Sequence, residues 1–196
     1  MQRVYLDNAA TTAIRPEVVD EMANVMKNVY GNPSSTHVFG REAKALIELS
    51  RKNIAQRLNV TSAEIYFTSC GTESNNTIIR SCVNDLDVTR IITTDLEHKC
   101  VLESVKDLEK RAKVDVIRLN ILKDGNIDYD QLEELIKDQS KKTLVSLMHA
   151  NNEIGNLTDV KHIAKICQEN NTLFHTDTVQ TVGHYDLDLK DLGVDF

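Results

Sequence analysis

The sequence predicts an α/β protein with a mostly parallel sheet covered by helices on both faces. Apolar, strand-like runs at 65–69, 90–94, 114–119, 143–149 and 172–176 alternate with helical stretches near 73–83, 98–112, 129–138 and 157–170. That alternation is the sequence form of successive βαβ units, whose strands run parallel because each crossover helix returns the chain to the same edge. Both prolines, Pro16 and Pro33, precede the alternating region, so none of its helices or strands is interrupted. Polar clusters also recur where apolar runs end, at Thr68–Asn75, Glu97–His98, Asn151–Glu153 and Asp177–Gln180. Ligands of such sheets bind at the carboxyl ends of the strands.

The amino-terminal segment is polar and leads to a helix opened by Pro16, with Val18, Val19, Met22, Val25, Met26 and Val29 at helical spacing. The breaker cluster Tyr30-Gly31-Asn32-Pro33-Ser34-Ser35 ends it in a loop. A second helix follows from Gly40 to Leu58, with Ala43, Ala45, Leu46, Ile47 and Leu49 on its apolar side. From Ile65 onward the α/β alternation takes over. The last residues, Gly193-Val194-Asp195-Phe196, look like the start of a further strand, so the sheet is expected to be truncated before completion at Phe196.

With 196 residues and 41% hydrophobic content, the chain can bury a sizeable core. Its formal net charge of -7, with Lys and Arg dispersed, argues against direct nucleic acid binding through the phosphate backbone. The start MQRVYLDNAATT lacks the apolar core of a secretory signal, and no apolar run approaches the length of a membrane span. A cytoplasmic location without membrane association is expected. Cys70, Cys82, Cys100 and Cys167 form no C-x-x-C pair and no zinc-like spacing, which points to reduced thiols. His149, His175 and His184 likewise lack the spacing of a metal site, and no metal is expected.

The stretch Thr68-Ser-Cys-Gly-Thr-Glu-Ser-Asn75 follows a strand-like run and opens a helix, where unpaired backbone N–H groups and the helix dipole suit a phosphate. Gly71 permits close approach, and the Thr72 hydroxyl adds a donor. The same stretch also suits ordinary capping, with Ser69 or Thr72 as the N-cap and Glu73 in the first turn. Cys70 fits a small packed residue better than a nucleophile, since no basic residue adjoins it. Together with the later clusters, the loop describes a pyridoxal 5'-phosphate site. Such a cofactor is an electron sink only while its ring nitrogen stays protonated, and a carboxylate such as Asp177 serves that need. Asp177 also fits a helix cap or an ion pair at a strand end. Gln180 and Asn152 are amides suited to the ring oxygen, because they donate without adding charge. His98 suits stacking on a flat ring and proton transfer near neutral pH, although a histidine after a strand also serves structure alone.

These residues resemble class V pyridoxal phosphate enzymes, and within them the cysteine desulfurases of the NifS and IscS type. The matching stretches run almost end to end: Tyr5–Thr12, Tyr30–His37, Phe67–Asn76, Leu96–Glu103, Met148–Gly155 and His175–Gly183. The resemblance implies the type I pyridoxal phosphate fold, usually a homodimer. It implies a small-domain segment at 1–14 and an incomplete large domain at 15–196. Gly71 and Thr72 would bind the phosphate, Asp177 the pyridine nitrogen, and Asn152 and Gln180 the ring substituents, while His98 would assist proton transfer. The implied reaction converts L-cysteine to L-alanine and an enzyme persulfide, which supplies iron–sulfur scaffolds or tRNA thiolation.

The chain departs from the family at Cys70-Gly71, where many relatives carry Gly-Ala or Gly-Gly. It resembles only the amino-terminal half. The lysine that forms the Schiff base and the persulfide cysteine match no position here, since neither Lys99 nor Lys190 occupies the family's lysine position. The 196 residues alone are therefore expected to be inactive. Two further readings are another class V aminotransferase or lyase, and a non-catalytic fragment or partner subunit.

Overall fold

A computed structural model describes residues 3–196, which divide into two compact units, one ending at Tyr66 and the other spanning Phe67–Phe196. In the first unit, helices α1 (Pro16–Asn28) and α2 (Val38–Arg57) precede a short 3-10 turn at Ser62–Glu64. Pro16 occupies the first turn of α1, where its missing N–H costs nothing, and Lys27 lies in the last turn, where a cation suits the dipole. His37 caps α2 by accepting from Gly40 N–H. Gly40 is buried, and a side chain there would collide with the Ser35 and Asn32 carbonyls, so only glycine allows this close approach. Within α2, Ala43 and Ala55 are buried while Ile47 and Leu49 are exposed. Helix α1 buries none of its residues, and Val18, Val19, Met22 and Met26 all face outward.

The second unit is the expected α/β sandwich. It contains α3 (Gly71–Asn84), β1 (Arg90–Thr93), α4 (Lys99–Lys110), β2 (Asp115–Arg118), α5 (Tyr129–Lys137), β3 (Thr143–Ser146), α6 (Val160–Glu169), β4 (Leu173–His175) and α7 (Leu189–Leu192). The strands form one parallel sheet in the order β2-β1-β3-β4. Side chains alternate across each strand, which explains the two cores. Ile91 and Leu144 pack with Ile79 and Cys82 of α3 and with Val101, Val105 and Leu108 of α4. Their neighbours Ile92, Val145 and Phe174 face the other way, onto Leu132 and Ile136 of α5 and Val160, Ile163 and Cys167 of α6. The reversal of strand order after β2 moves the crossover helix to the opposite face, as right-handed connections require.

One strand-like run does not form a strand: residues 65–69 are irregular backbone leading into α3. A short β-branched and aromatic run satisfies the local preference for extended backbone, but a strand exists only if a neighbouring strand accepts its ladder. At the other end, Phe196 N–H donates to Phe174 O at 3.2 Å and Thr176 N–H donates to Phe196 O at 3.0 Å, so the final residues begin a parallel ladder beside β4. Among the described residues no helix is long and apolar enough to cross a membrane.

Buried Arg90 opens β1 with all three guanidinium nitrogens engaged: Nε donates to Thr143 Oγ1, Nη1 to Asp138 Oδ2 and Nη2 to Asp138 O, at 2.6–2.8 Å. It clamps the amino-terminal edge of the sheet, opposite the end where the site lies. Phe174 is fully buried at the centre of the larger core, so Phe174→Ala is expected to cost about 3–5 kcal/mol in urea unfolding. The outward apolar stripe of α1 predicts that the 196-residue polypeptide self-associates. Sedimentation velocity should show oligomers that Val18→Lys with Met26→Lys disperses, whereas a monodisperse, cooperatively melting monomer would contradict this.

Candidate functional site

Three segments that leave the carboxyl ends of β1, β3 and β4 meet beside the amino terminus of α3. The meeting is enforced by backbone bonds that extend the ladder past the strands: Leu147 N–H donates to His175 O at 3.1 Å and His149 N–H to Asp177 O at 3.0 Å. The loops after β1 and β3 are joined through Asn151, whose amide donates to Leu96 O at 2.7 Å while its oxygen accepts from Glu153 and Ile154 N–H. Asn151 is buried and organises this loop, which leaves the neighbouring Asn152 half-buried with its amide donating to Glu153 Oε1 at 2.9 Å.

Helix α3 begins directly after the 68–70 loop. Cys70 takes the N-cap position with extended backbone, so neither Ser69 nor Thr72 does, and Gly71 is the first helical residue. A Cβ on Gly71 would lie 2.8 Å from Val179 Cγ2, so glycine is what lets the loop after β4 lie against the helix start. Glu73 in the first turn accepts from Ser69 N–H at 2.6 Å, and the Ser69 hydroxyl, with that N–H, holds its carboxyl below the ordinary range. Thr72 is exposed in the first turn, and Thr68 and Ser74 share a hydroxyl bond at 2.7 Å across the loop. Cys70 differs from expectation. Its side chain is exposed rather than packed, and the Glu73 N–H at the helix start, with the Ser69 hydroxyl, lowers its thiol below the usual range. The reason is positional, since the N-cap side chain of a helix points off its end.

Asp177 lies two residues past β4 and is buried, so an exposed ion pair does not account for it. Its Oδ2 accepts from Asn75 Nδ2 at 2.7 Å and its Oδ1 from Val179 N–H at 2.9 Å. Both donors are neutral groups. His175, on the same face two residues earlier, is buried in a neutral state because burial pushes its imidazole down to about 4. Its Nδ1 is paired with the Ser146 hydroxyl at 2.9 Å and its Nε2 with Asn75 Oδ1 at 3.2 Å. His149 bonds Thr181 through Nδ1 at 3.0 Å, and burial lowers its imidazole as well. Among the described residues no group of three or more His, Cys, Asp or Glu is arranged to hold a metal ion.

His98 caps α4, its Nδ1 accepting from Cys100 N–H at 3.3 Å with the Cys100 thiol 3.0 Å away. The ring is exposed at the mouth of the site. Glu97, beside it in sequence, turns inward and accepts from Met148 N–H at 2.8 Å. Burial, reinforced by the Asp177 charge, pushes this carboxyl up to about 8. Gln180 lies in the turn after Asp177 and is half-buried. The structure thus links Gly71, Asp177 and His98 through Val179, Asn75 and Cys100, and sets Asn152 and Gln180 on the flanking loops.

A family profile for class V aminotransferases matches residues 4–196. The chain belongs to the class V aminotransferase family. The relatives it resembles are cysteine desulfurases of the NifS and IscS type. "Cysteine desulfurase IscS" of Dictyoglomus turgidum is 43% identical across 99% of this chain and 49% of its own length. The mitosomal cysteine desulfurase of Trachipleistophora hominis is 41% identical across 98% of this chain and 44% of its own. Among solved structures, a NifS-like protein superposes with a TM-score of 0.93 at 39% identity, covering 99% of this chain and 54% of that one. A structure described as SspA in complex with cysteine matches with a TM-score of 0.88 at 32% identity, over 97% of this chain and 55% of that one. The chain spans about half the length of the curated relatives it matches.

Asn75, His175, Ser146 and Glu97 had no role assigned from sequence. Two of them were within reach of pattern reasoning: Asn75 sits one helical turn after Gly71, and His175 shares a strand face with Asp177.

Glu97 gives a pH signature. Its carboxyl is held above the unfolded value of 4.5, so the folded state retains a proton that the unfolded state releases, and stability is lost as pH rises from about 4.5 through about 8. Glu97→Gln keeps an acceptor for Met148 N–H but has no proton to lose. Between pH 5 and pH 8 its unfolding free energy should fall by roughly 2–4 kcal/mol less than that of the parent, read from urea melts across pH.

Proposed function

We propose that the polypeptide carrying this chain is a pyridoxal 5'-phosphate-dependent cysteine desulfurase, which takes sulfur from L-cysteine, releases L-alanine and holds the sulfur as an enzyme persulfide. The observation that carries this is the buried Asp177 carboxylate, fixed by two neutral donors and joined by Asn75 to the start of α3. The family relationship, and the SspA structure described with cysteine, support the substrate.

The residues present fit the cofactor. Gly71 leaves room against Val179 that a Cβ would fill, and the first turn of α3 has backbone N–H groups aimed outward, which suits a phosphate with the Thr72 hydroxyl beside them. Asp177 would hold the ring nitrogen in its protonated form; opposite unit charges about 4 Å apart are worth roughly 4 kcal/mol at an effective dielectric of about 20, before desolvation. When bound, pyridoxal phosphate supplies the electron sink for breaking bonds at the substrate's carbon atoms. Asn152 and Gln180 would orient the ring through amide contacts that add no charge. His98 has its Nδ1 occupied by Cys100 N–H, so a proton it carries or delivers moves through Nε2. In this reading the Schiff-base lysine and the persulfide cysteine are supplied by residues outside this chain, because neither Lys99, Lys190 nor any of the four cysteines matches the family's positions and the chain spans about half the length of its relatives. The protein acts in the cytoplasm as a homodimer, residues 1–14 belong to a small domain and 15–196 to the large one, and the sulfur passes to iron–sulfur scaffolds or tRNA-thiolation acceptors.

The test is alanine release from L-cysteine by the full native polypeptide, with pyridoxal phosphate. Asp177→Asn should lower the rate at least a hundredfold, and His98→Ala at least tenfold with an altered pH profile. A keto-acid-dependent half-reaction without sulfur release would instead identify another class V aminotransferase.

A further inference from the structure

We propose that Asn75 is a positioning residue that ties the Asp177 carboxylate to the His98 imidazole through the Cys100 thiol. The proposal rests on the functional reading above for the roles of Asp177 and His98, but its geometry stands on this chain alone.

A side-chain amide has two N–H donors and one acceptor oxygen, and here each has an assigned partner. One N–H of Asn75 donates to Asp177 Oδ2 at 2.7 Å, and the same nitrogen lies 3.3 Å from Cys100 Sγ, which takes the second. The oxygen faces His175 Nε2 at 3.2 Å. Only this orientation works, since a flipped amide would set its oxygen against a carboxylate oxygen. With Asn75 Oδ1 as acceptor, the neutral His175 carries its proton on Nε2, and its Nδ1 accepts from the Ser146 hydroxyl at 2.9 Å. Asn75, His175, Ser146 and Asp177 are all more than nine-tenths buried, so these bonds are shielded from competing water.

The second arm reaches the catalytic histidine. Because Cys100 Sγ accepts from Asn75, its S–H is free to donate to His98 Nδ1 at 3.0 Å. Nδ1 then faces two donors, the thiol and the Cys100 N–H, and the neutral ring carries its proton on Nε2. An aspartate at position 75 would reverse both arms. It would set a second carboxylate against Asp177, and it would offer the thiol an acceptor that draws S–H away from His98.

The experiment uses the native polypeptide, Asn75→Asp and Cys100→Ala. Fluorescence titration gives the pyridoxal 5'-phosphate dissociation constant, and 15N NMR of the cofactor-free protein reports the tautomer of the His98 ring. The parent should show the Nε2–H form. Asn75→Asp should raise the dissociation constant at least tenfold and increase the Nδ1–H share of His98. Cys100→Ala should shift the same His98 signals while changing the dissociation constant by less than threefold. Parent-like cofactor binding by Asn75→Asp, or His98 signals unchanged by Cys100→Ala, overturns the proposal. If Asn75→Asp does not fold, Cys100→Ala decides it. Failure of the parent to bind the cofactor would sink the functional reading, and the His98 signals would still decide this inference.

Discussion

The parallel pairing of β1, β3 and β4 is the constraint on which the site depends. His98, Asn152, Asp177 and Gln180 follow carboxyl ends of the sheet, and the main-chain bonds that continue past β3 and β4 carry the register to Asp177 itself. A slip of one residue would turn Asp177 and His175 to the opposite face and put Phe174 where the polar network now lies. Phe174 in one core and Ile91 and Leu144 in the other prevent such a slip, because each would have to leave a dry environment. Hydrophobic packing on both faces of the sheet therefore sets the positions of the charged and polar groups at its rim.

The site holds its charges with unequal help. Asp177 accepts from two neutral donors, whereas Glu97 has one backbone donor and a raised carboxyl. His175 is neutral because burial outweighs the attraction of Asp177. Glu97 and His175 thus lie near Asp177 with burial favouring the uncharged form of each. Two ionised carboxylates close together in a poorly solvated site would repel, and burial disfavours a charged histidine there as well.

How much of this was legible beforehand differs by residue. The α/β class and the four parallel strands followed from alternating apolar runs, and Gly71, Thr72, His98, Asn152, Asp177 and Gln180 stood out because polar residues were grouped at strand ends. The run at 65–69 was misleading because strand propensity says nothing about whether a partner strand exists. The exposure of Cys70 was equally hidden, since it depends on which residue takes the N-cap of α3. Asn75 lies 102 residues from Asp177 along the chain, and no local pattern pairs them.

The sequence by itself determined the architecture, the family and the inventory of polar groups at the strand ends, because periodicity and short motifs are local properties of the chain. Only the tertiary structure decided which of those groups touch and in what protonation state. Burial raises Glu97, lowers His175 and leaves Asp177 facing Asn75, and burial is set by how α3, β3 and β4 pack together.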